Sequence, residues 1–208
     1  MENKEQPSKE QLILAAAEYE FLTKGYDGAR TTSIASAAGV THAMLHYYFR
    51  TKEQLFERIV DEKFRTVSHA MFNIMGDPSL PIMERIKCGI ETHFDFIAQN
   101  PLLPRFVINE IITRPERYEV LHKRLESFVK NVFKSLQDEI DQEAALGKIE
   151  KIDIKMLFIS IMSLNTFTFV AYPFIEPLMG ELMVDREQFL SSRKAENVEI
   201  IIRRIKKQ

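Results

Sequence analysis

The stretch from Thr31 to Phe49, TTSIASAAGVTHAMLHYYF, constrains the fold more than any other part of the chain, because two short helical patterns meet there at a Gly-Val corner. Ile34, Ala35 and Ala38 fall on one face of the first pattern, with Thr31 or Thr32 available as its N-cap. Gly39 supplies the positive backbone angle that ends this helix. Val40 can plug the corner, Thr41 can cap the next helix, and His42 to Phe49 makes two turns that carry His, Met and Tyr outward. Such an arrangement is a helix-turn-helix, whose second helix enters the DNA major groove.

The rest of the chain reads as helix throughout. Long 3.6-period patterns, no alternating strand runs and few glycines predict an all-α fold, and 45% hydrophobic content in 208 residues is ample for a core. Ser8 caps a helix running to Lys24, with Gly25 as the stop and Tyr26-Asp27-Gly28 as a turn. Thr51 caps a connecting helix of about 51–75, with Leu55, Phe56, Ile59, Val60 and Phe64 on its apolar face and Gly76-Asp77-Pro78 ending it. Further helices are expected from Pro81 to Gln99, from Pro101 to Thr113, from Glu116 to about Ala145, from Asp153 to Tyr172 with Pro173 as the stop, and from Asp185 to about Lys206. The division of labour this suggests is a head at 1–52 and a larger helical domain at 53–208.

Charge gives no easy argument for a nucleic-acid partner. The net charge is −2, and residues 1–52 balance Lys4, Lys9, Lys24, Arg30, Arg50 and Lys52 against Glu2, Glu5, Glu10, Glu18, Glu20 and Asp27. DNA affinity must therefore come from where charges sit. Cys88 is the single cysteine, which fits a reduced, cytoplasmic setting, and the polar opening MENKEQPSKEQ contains no signal sequence.

The head carries enough specific residues to place a resemblance. Ile34-Ala35, Ala37-Ala38-Gly39-Val40-Thr41, Leu45, Tyr47-Tyr48-Phe49 and Lys52-Glu53-Gln54-Leu55, preceded by Lys24-Gly25-Tyr26, resemble the TetR (tetracycline-repressor) family of transcriptional regulators over the first quarter of the chain. The resemblance implies a three-helix DNA-binding head joined by a connecting helix to an effector-binding and dimerisation domain. It also implies DNA contacts at Thr31, Thr32, Thr41, His42, Ala43, Met44, His46, Tyr47, Tyr48 and Lys52.

Roles follow from chemistry. Tyr47 and Tyr48 can donate to phosphates, since two adjacent residues on a short helix cannot both point inward, whereas Phe49 is read as core. Lys52 adds charge beside the free amides of a helix start, and Thr41 can bond a phosphate from its capping position. His42, Met44 and His46 are the candidates for base contacts, with Met44 suited to a thymine methyl. Ala43, Met44 and His46 depart from the residues usual in the family, so no operator sequence carries over. Glu20 also stands where family members are usually apolar.

In the larger domain His93, His122 and Asn165 sit on otherwise apolar stripes of three helices. Each alone fits a hydrogen-bonded core residue; together they favour the lining of a cavity for a small, largely apolar effector, with Phe94, Phe106, Asn109, Phe128, Met162 and Phe169 as walls. Met156 to Ile175 is twenty residues without a charge, long enough to cross a bilayer. Ser160, Ser163, Asn165, Thr166 and Thr168 interrupt it and no basic cluster flanks it, which favours burial in protein. Paired with the last helix, the helices at about 153–172 and 185–206 would make a four-helix bundle with a second copy.

These readings combine into a cytoplasmic homodimeric regulator without cofactor, metal or membrane partner. The expected function is that of a repressor released from a near-palindromic DNA operator by its effector, with an activator as the alternative. A helical small-molecule-binding protein or enzyme without DNA function ranks below these, and the enzyme is disfavoured because no Gly-rich phosphate loop, nucleophile elbow or His-Glu-x-x-His spacing occurs.

Overall fold

Ser8 opens the first helix with a reciprocal capping box, accepting from the Gln11 N–H while the Gln11 side chain accepts from its own. The structure, a computed structural model, describes residues 7–77, 79–180 and 185–207. Among them run α1 (Lys9–Gly28), α2 (Thr31–Ala37), α3 (His42–Tyr48), α4 (Lys52–Met75), α5 (Ile82–Gln99), α6 (Leu103–Val107), α7 (Pro115–Ala145), α8 (Ile154–Met179) and α9 (Arg186–Ile205), with a π-helical turn at Ile108–Ile112.

The helices gather into two compact units. The first comprises residues up to Thr66 together with Phe106–Arg114, and the second comprises Val67–Arg105 and Pro115 onward. The boundary expected after residue 52 falls inside the first unit. Leu55, Phe56, Ile59 and Val60 of α4 are buried, and Phe56 packs edge-on to Phe21 of α1 at 5.2 Å and against Phe106 at 5.5 Å. The single helix expected over Pro101 to Thr113 is instead a short α-helix running into the π-helical turn.

Glycine decides the geometry at the end of α1. Gly25, expected as the stop, kinks the helix with φ +69°, and helical hydrogen bonding resumes to Gly28. A Cβ at Gly25 would lie 2.6 Å from Glu110 Oε1, so a larger residue is excluded by space as well as by backbone angle. Arg114 then pairs with Glu110 at 3.5 Å and with Asp27 at 2.7 Å, tying the π-helical turn to this corner.

In the second unit Ile82, Ile86 and Ile90 of α5, Leu136 and Ile140 of α7, Ile154, Leu157 and Ile161 of α8, and Ile201 and Ile205 of α9 form one buried cluster. Asp153 caps α8 by accepting from the Lys155 N–H at 2.8 Å. The stop expected at Pro173 does not occur, because α8 continues through Pro173 and Pro177 to Met179. A proline removes one N–H from the helix ladder, and a long helix packed along a core can absorb that loss.

Candidate nucleic-acid interface

The corner between α2 and α3 closes by two backbone bonds around Gly39, whose φ is +64°. Gly39 N–H donates to Ser36 O at 3.1 Å and Val40 N–H to Ala35 O at 3.0 Å, the paired bonds of a Schellman motif. Thr41 then caps α3 by accepting from the Met44 N–H at 3.1 Å. Of the seven residues of α3 only Leu45 is buried, while His42, Ala43, Met44, His46, Tyr47 and Tyr48 are exposed. Tyr47 is 83% exposed, against 41% for Tyr48 and 38% for Met44. Phe49, just after the helix, is buried with the core.

The start of α2 differs from the expected threonine cap. Arg30 is the N-cap residue and contributes no side-chain bond. Its backbone N–H is taken instead by the Glu20 carboxylate of α1 at 3.3 Å, and Lys24 Nζ contacts both carboxylate oxygens at 2.8 Å. The bond to Lys24 holds the Glu20 carboxyl below its usual range, with burial opposing and the Arg30 N–H assisting. A carboxylate at a helix N-terminus also meets the positive end of the helix dipole. That accounts for an acid at a buried position.

Freed from capping, Thr31 turns to α3, its Oγ1 lying 3.0 Å from His42 Nε2. His46 Nδ1 lies 3.2 Å from the Arg50 carbonyl oxygen, which can only accept, so Nδ1 is the donor of this bond. The two imidazoles meet edge to face at 4.4 Å. Thr32 is exposed. Lys52, at the first turn of α4, stacks its ammonium 4.5 Å over the Tyr26 ring, and Thr51 caps that helix by accepting from the Gln54 N–H at 3.1 Å.

The residues expected to line an effector cavity separate. His93 and Asn165 meet in a buried relay in which Asn197 Nδ2 donates to Asn165 Oδ1 at 2.9 Å, and Asn165 Nδ2 donates to Ile90 O at 3.0 Å and reaches His93 Nδ1 at 3.1 Å. Burial pushes His93 down to about 4, so its ring is neutral near pH 7. Phe94 and Phe169 pack on each other at 5.1 Å, and Met162 lies against the isoleucine cluster. Phe106 and Asn109 belong to the first unit, Phe106 against Phe56 and Asn109 exposed. The side chains of His122 and Phe128 lie outside the described residues.

A cavity of about 40 Å³ opens elsewhere in the second unit, lined by Met75, Ile86, Gly89, Phe133, Leu136, Ile154, Leu157, Phe158 and Ile161. The sequence singles out none of these for such a role, because an apolar stripe looks alike whether it packs or lines a void. Asn197 escapes notice for a related reason: it interrupts the stripe of α9 by one residue, and only the fold brings it to Asn165.

Residues 13–59 match the family described as bacterial regulatory proteins, tetR family. Among curated proteins the chain is similar to the uncharacterized HTH-type transcriptional regulator YdgC of Bacillus subtilis, 26% identical over 103 residues. That match takes in 48% of this chain and about half, 52%, of the relative. It is also similar to the HTH-type transcriptional activator FasR of Mycolicibacterium smegmatis, 27% identical over 158 residues, 74% of this chain and 68% of that one. Its fold resembles the crystal structure of a bacterial regulatory protein in the tetR family from Rhodococcus RHA1, with TM-score 0.72 and 22% identity over 98% of this chain and 100% of the other. Over its head, residues 13–59, the chain thus matches the tetR family of bacterial regulatory proteins, and its whole fold is similar to that of a tetR-family regulator.

Proposed function

We infer that the protein is a homodimeric, ligand-responsive regulator that acts in the cytoplasm by binding a near-palindromic DNA operator through α3. The observation that carries this is the face of α3: one anchoring leucine, Leu45, and six exposed side chains behind a glycine corner. Tyr47, Tyr48, Thr41 and Lys52 contact phosphates and fix the docking, with Thr31 and Thr32 beside them, while His42, Met44 and His46 reach base edges next to Ala43. Lys52 leaves its ring contact with Tyr26 to do so.

The dimer forms on the outer face of α8. Met156, Ile159, Phe167, Val170, Phe174 and Leu178 are exposed at three-and-four spacing, and Ile200 of α9 is exposed as well. The opposite face of α8 is in the core, through Leu157, Ile161, Asn165 and Phe169. A helix apolar on both sides suits a second subunit better than a bilayer here, since Asn165 and Thr168 are committed to hydrogen bonds.

The effector lodges in the second unit, at the apolar cavity, because Asn165 at the centre of the His93 relay is already bonded to Ile90, His93 and Asn197, although Asn197 Oδ1 is buried without a partner. It is largely hydrocarbon. Repression is the simpler sign, relieved when the effector shifts α4 with a coupling of about 1–3 kcal/mol. Activation is the second reading, favoured by the similarity to FasR, a protein named as an activator. Selection of bound fragments from random DNA tests the reading: two related half-sites about one helical turn or more apart should emerge, and enrichment without such symmetry would contradict it.

A further inference from the structure

The cavity is too small for the ligand assigned to it. Small-molecule sites run to roughly 300–1,000 Å³, against about 40 Å³ here, so a wall must give way. Most of that wall is branched or aromatic and belongs to the isoleucine cluster and the residues packed on it. Met75, itself packed on that cluster, is the one flexible side chain of the wall. It is the last residue of α4, unbranched and adaptable, and its Sδ rests on Gly89, 3.0 Å from where a Cβ there would stand.

Arg85 of α5, only 4% exposed, donates through Nη1 to the Met75 carbonyl oxygen at 2.9 Å and pairs through Nη2 with Glu139 of α7. Its Nε is buried without a hydrogen-bond partner. One guanidinium therefore satisfies a carbonyl left open at the end of α4 and ties it to the two helices that supply Ile86, Gly89 and Leu136 to the cavity.

The geometry points to Met75 as the movable wall of the effector site and to Arg85 as the clamp that sets the cost of moving it, a conclusion that rests on reading the cavity as that site. A ligand wedged between Met75 and Gly89 displaces the thioether and pulls the Met75 main chain against Arg85. The displacement thus enters α4 at its C-terminal end. Arg85 is a positioning residue, acting through Met75 without touching the ligand. Only a fraction of molecules has the wall open, and apparent affinity falls by that fraction.

The full-length protein with N-phenyl-1-naphthylamine, an uncharged apolar fluorophore, tests this directly. Saturating probe should shift the methyl resonance of Met75, assigned by its disappearance in Met75→Leu. Arg85→Leu should raise probe affinity about threefold or more, and Gly89→Ala, which crowds Met75, should lower it. Glu139→Gln, which alters only the half-exposed arm of the clamp, should raise it by less and serves should Arg85→Leu not fold. An unmoved Met75 resonance, unchanged affinity in both clamp variants, or no probe binding to any variant would overturn the clamp. The DNA reading is judged separately: a probe that moves Met75 yet leaves the affinity for a selected operator unchanged supports the clamp and contradicts the proposed regulation.

Discussion

The Glu20 carboxylate accepts the backbone N–H of Arg30 at 3.3 Å, so a side chain of α1 performs the capping that the first residues of α2 leave undone. The placement of the reading head on its brace thus depends on one buried charge. Glu20→Gln keeps an acceptor for Arg30 but loses the ion pair with Lys24, and should cost about 1–2 kcal/mol at pH 7. Because the Glu20 carboxyl titrates lower in the folded chain than in the unfolded one, its contribution is present above the ordinary carboxylate range and is lost as pH falls through the folded value. Urea denaturation of both proteins at neutral and acid pH should show the gap closing on acidification.

His93 gives the second unit its own acid sensitivity. Burial lowers it from 6.5 to about 4, so between those values the unfolded chain binds a proton that the folded chain refuses. Stability is then complete above pH 6.5 and declines toward pH 4, by at most about 3 kcal/mol. His93→Gln should flatten this part of the profile. Equal slopes for wild type and variant between pH 7 and 4.5, followed by denaturant midpoints, would show that His93 takes up its proton in the folded chain as readily as in the unfolded one.

Much of the head is legible in the sequence because its signals are local. Gly39, Thr41 and Leu45 act within a turn of themselves, and a helix corner with its cap is written in consecutive residues. Glu20 is visible only as an oddity with a neighbour at Lys24, since the N–H it caps lies ten residues on, at Arg30. Phe106 reads into the wrong unit because an apolar position states that it is buried but not against what. Pro173 reads as a stop because proline disfavours a helix locally, whereas α8 is held by packing along its length. Arg85, Asn197 and the cavity are not legible at all, since each depends on helices that only the fold brings together.

The exposed stripe of α8 predicts its own disruption. Phe167 and Phe174 are 66% and 72% exposed in the single chain, so a charge at either site costs the monomer little. Phe167→Glu with Phe174→Glu should leave the helical circular dichroism signal intact and convert a sedimenting dimer into a monomer. A double variant that remains dimeric would move the interface elsewhere.

The central claim is that α3 and its neighbours hold DNA through a few placed groups, and the salt dependence of operator binding measures this most directly. Tyr47→Phe combined with Lys52→Ala should weaken binding to the selected operator and to random DNA alike. The slope of log affinity against log salt should become shallower by about one for each phosphate that the lysine of a head no longer neutralises. Unchanged affinity and an unchanged slope in the folded double variant would contradict the assignment of this face to DNA.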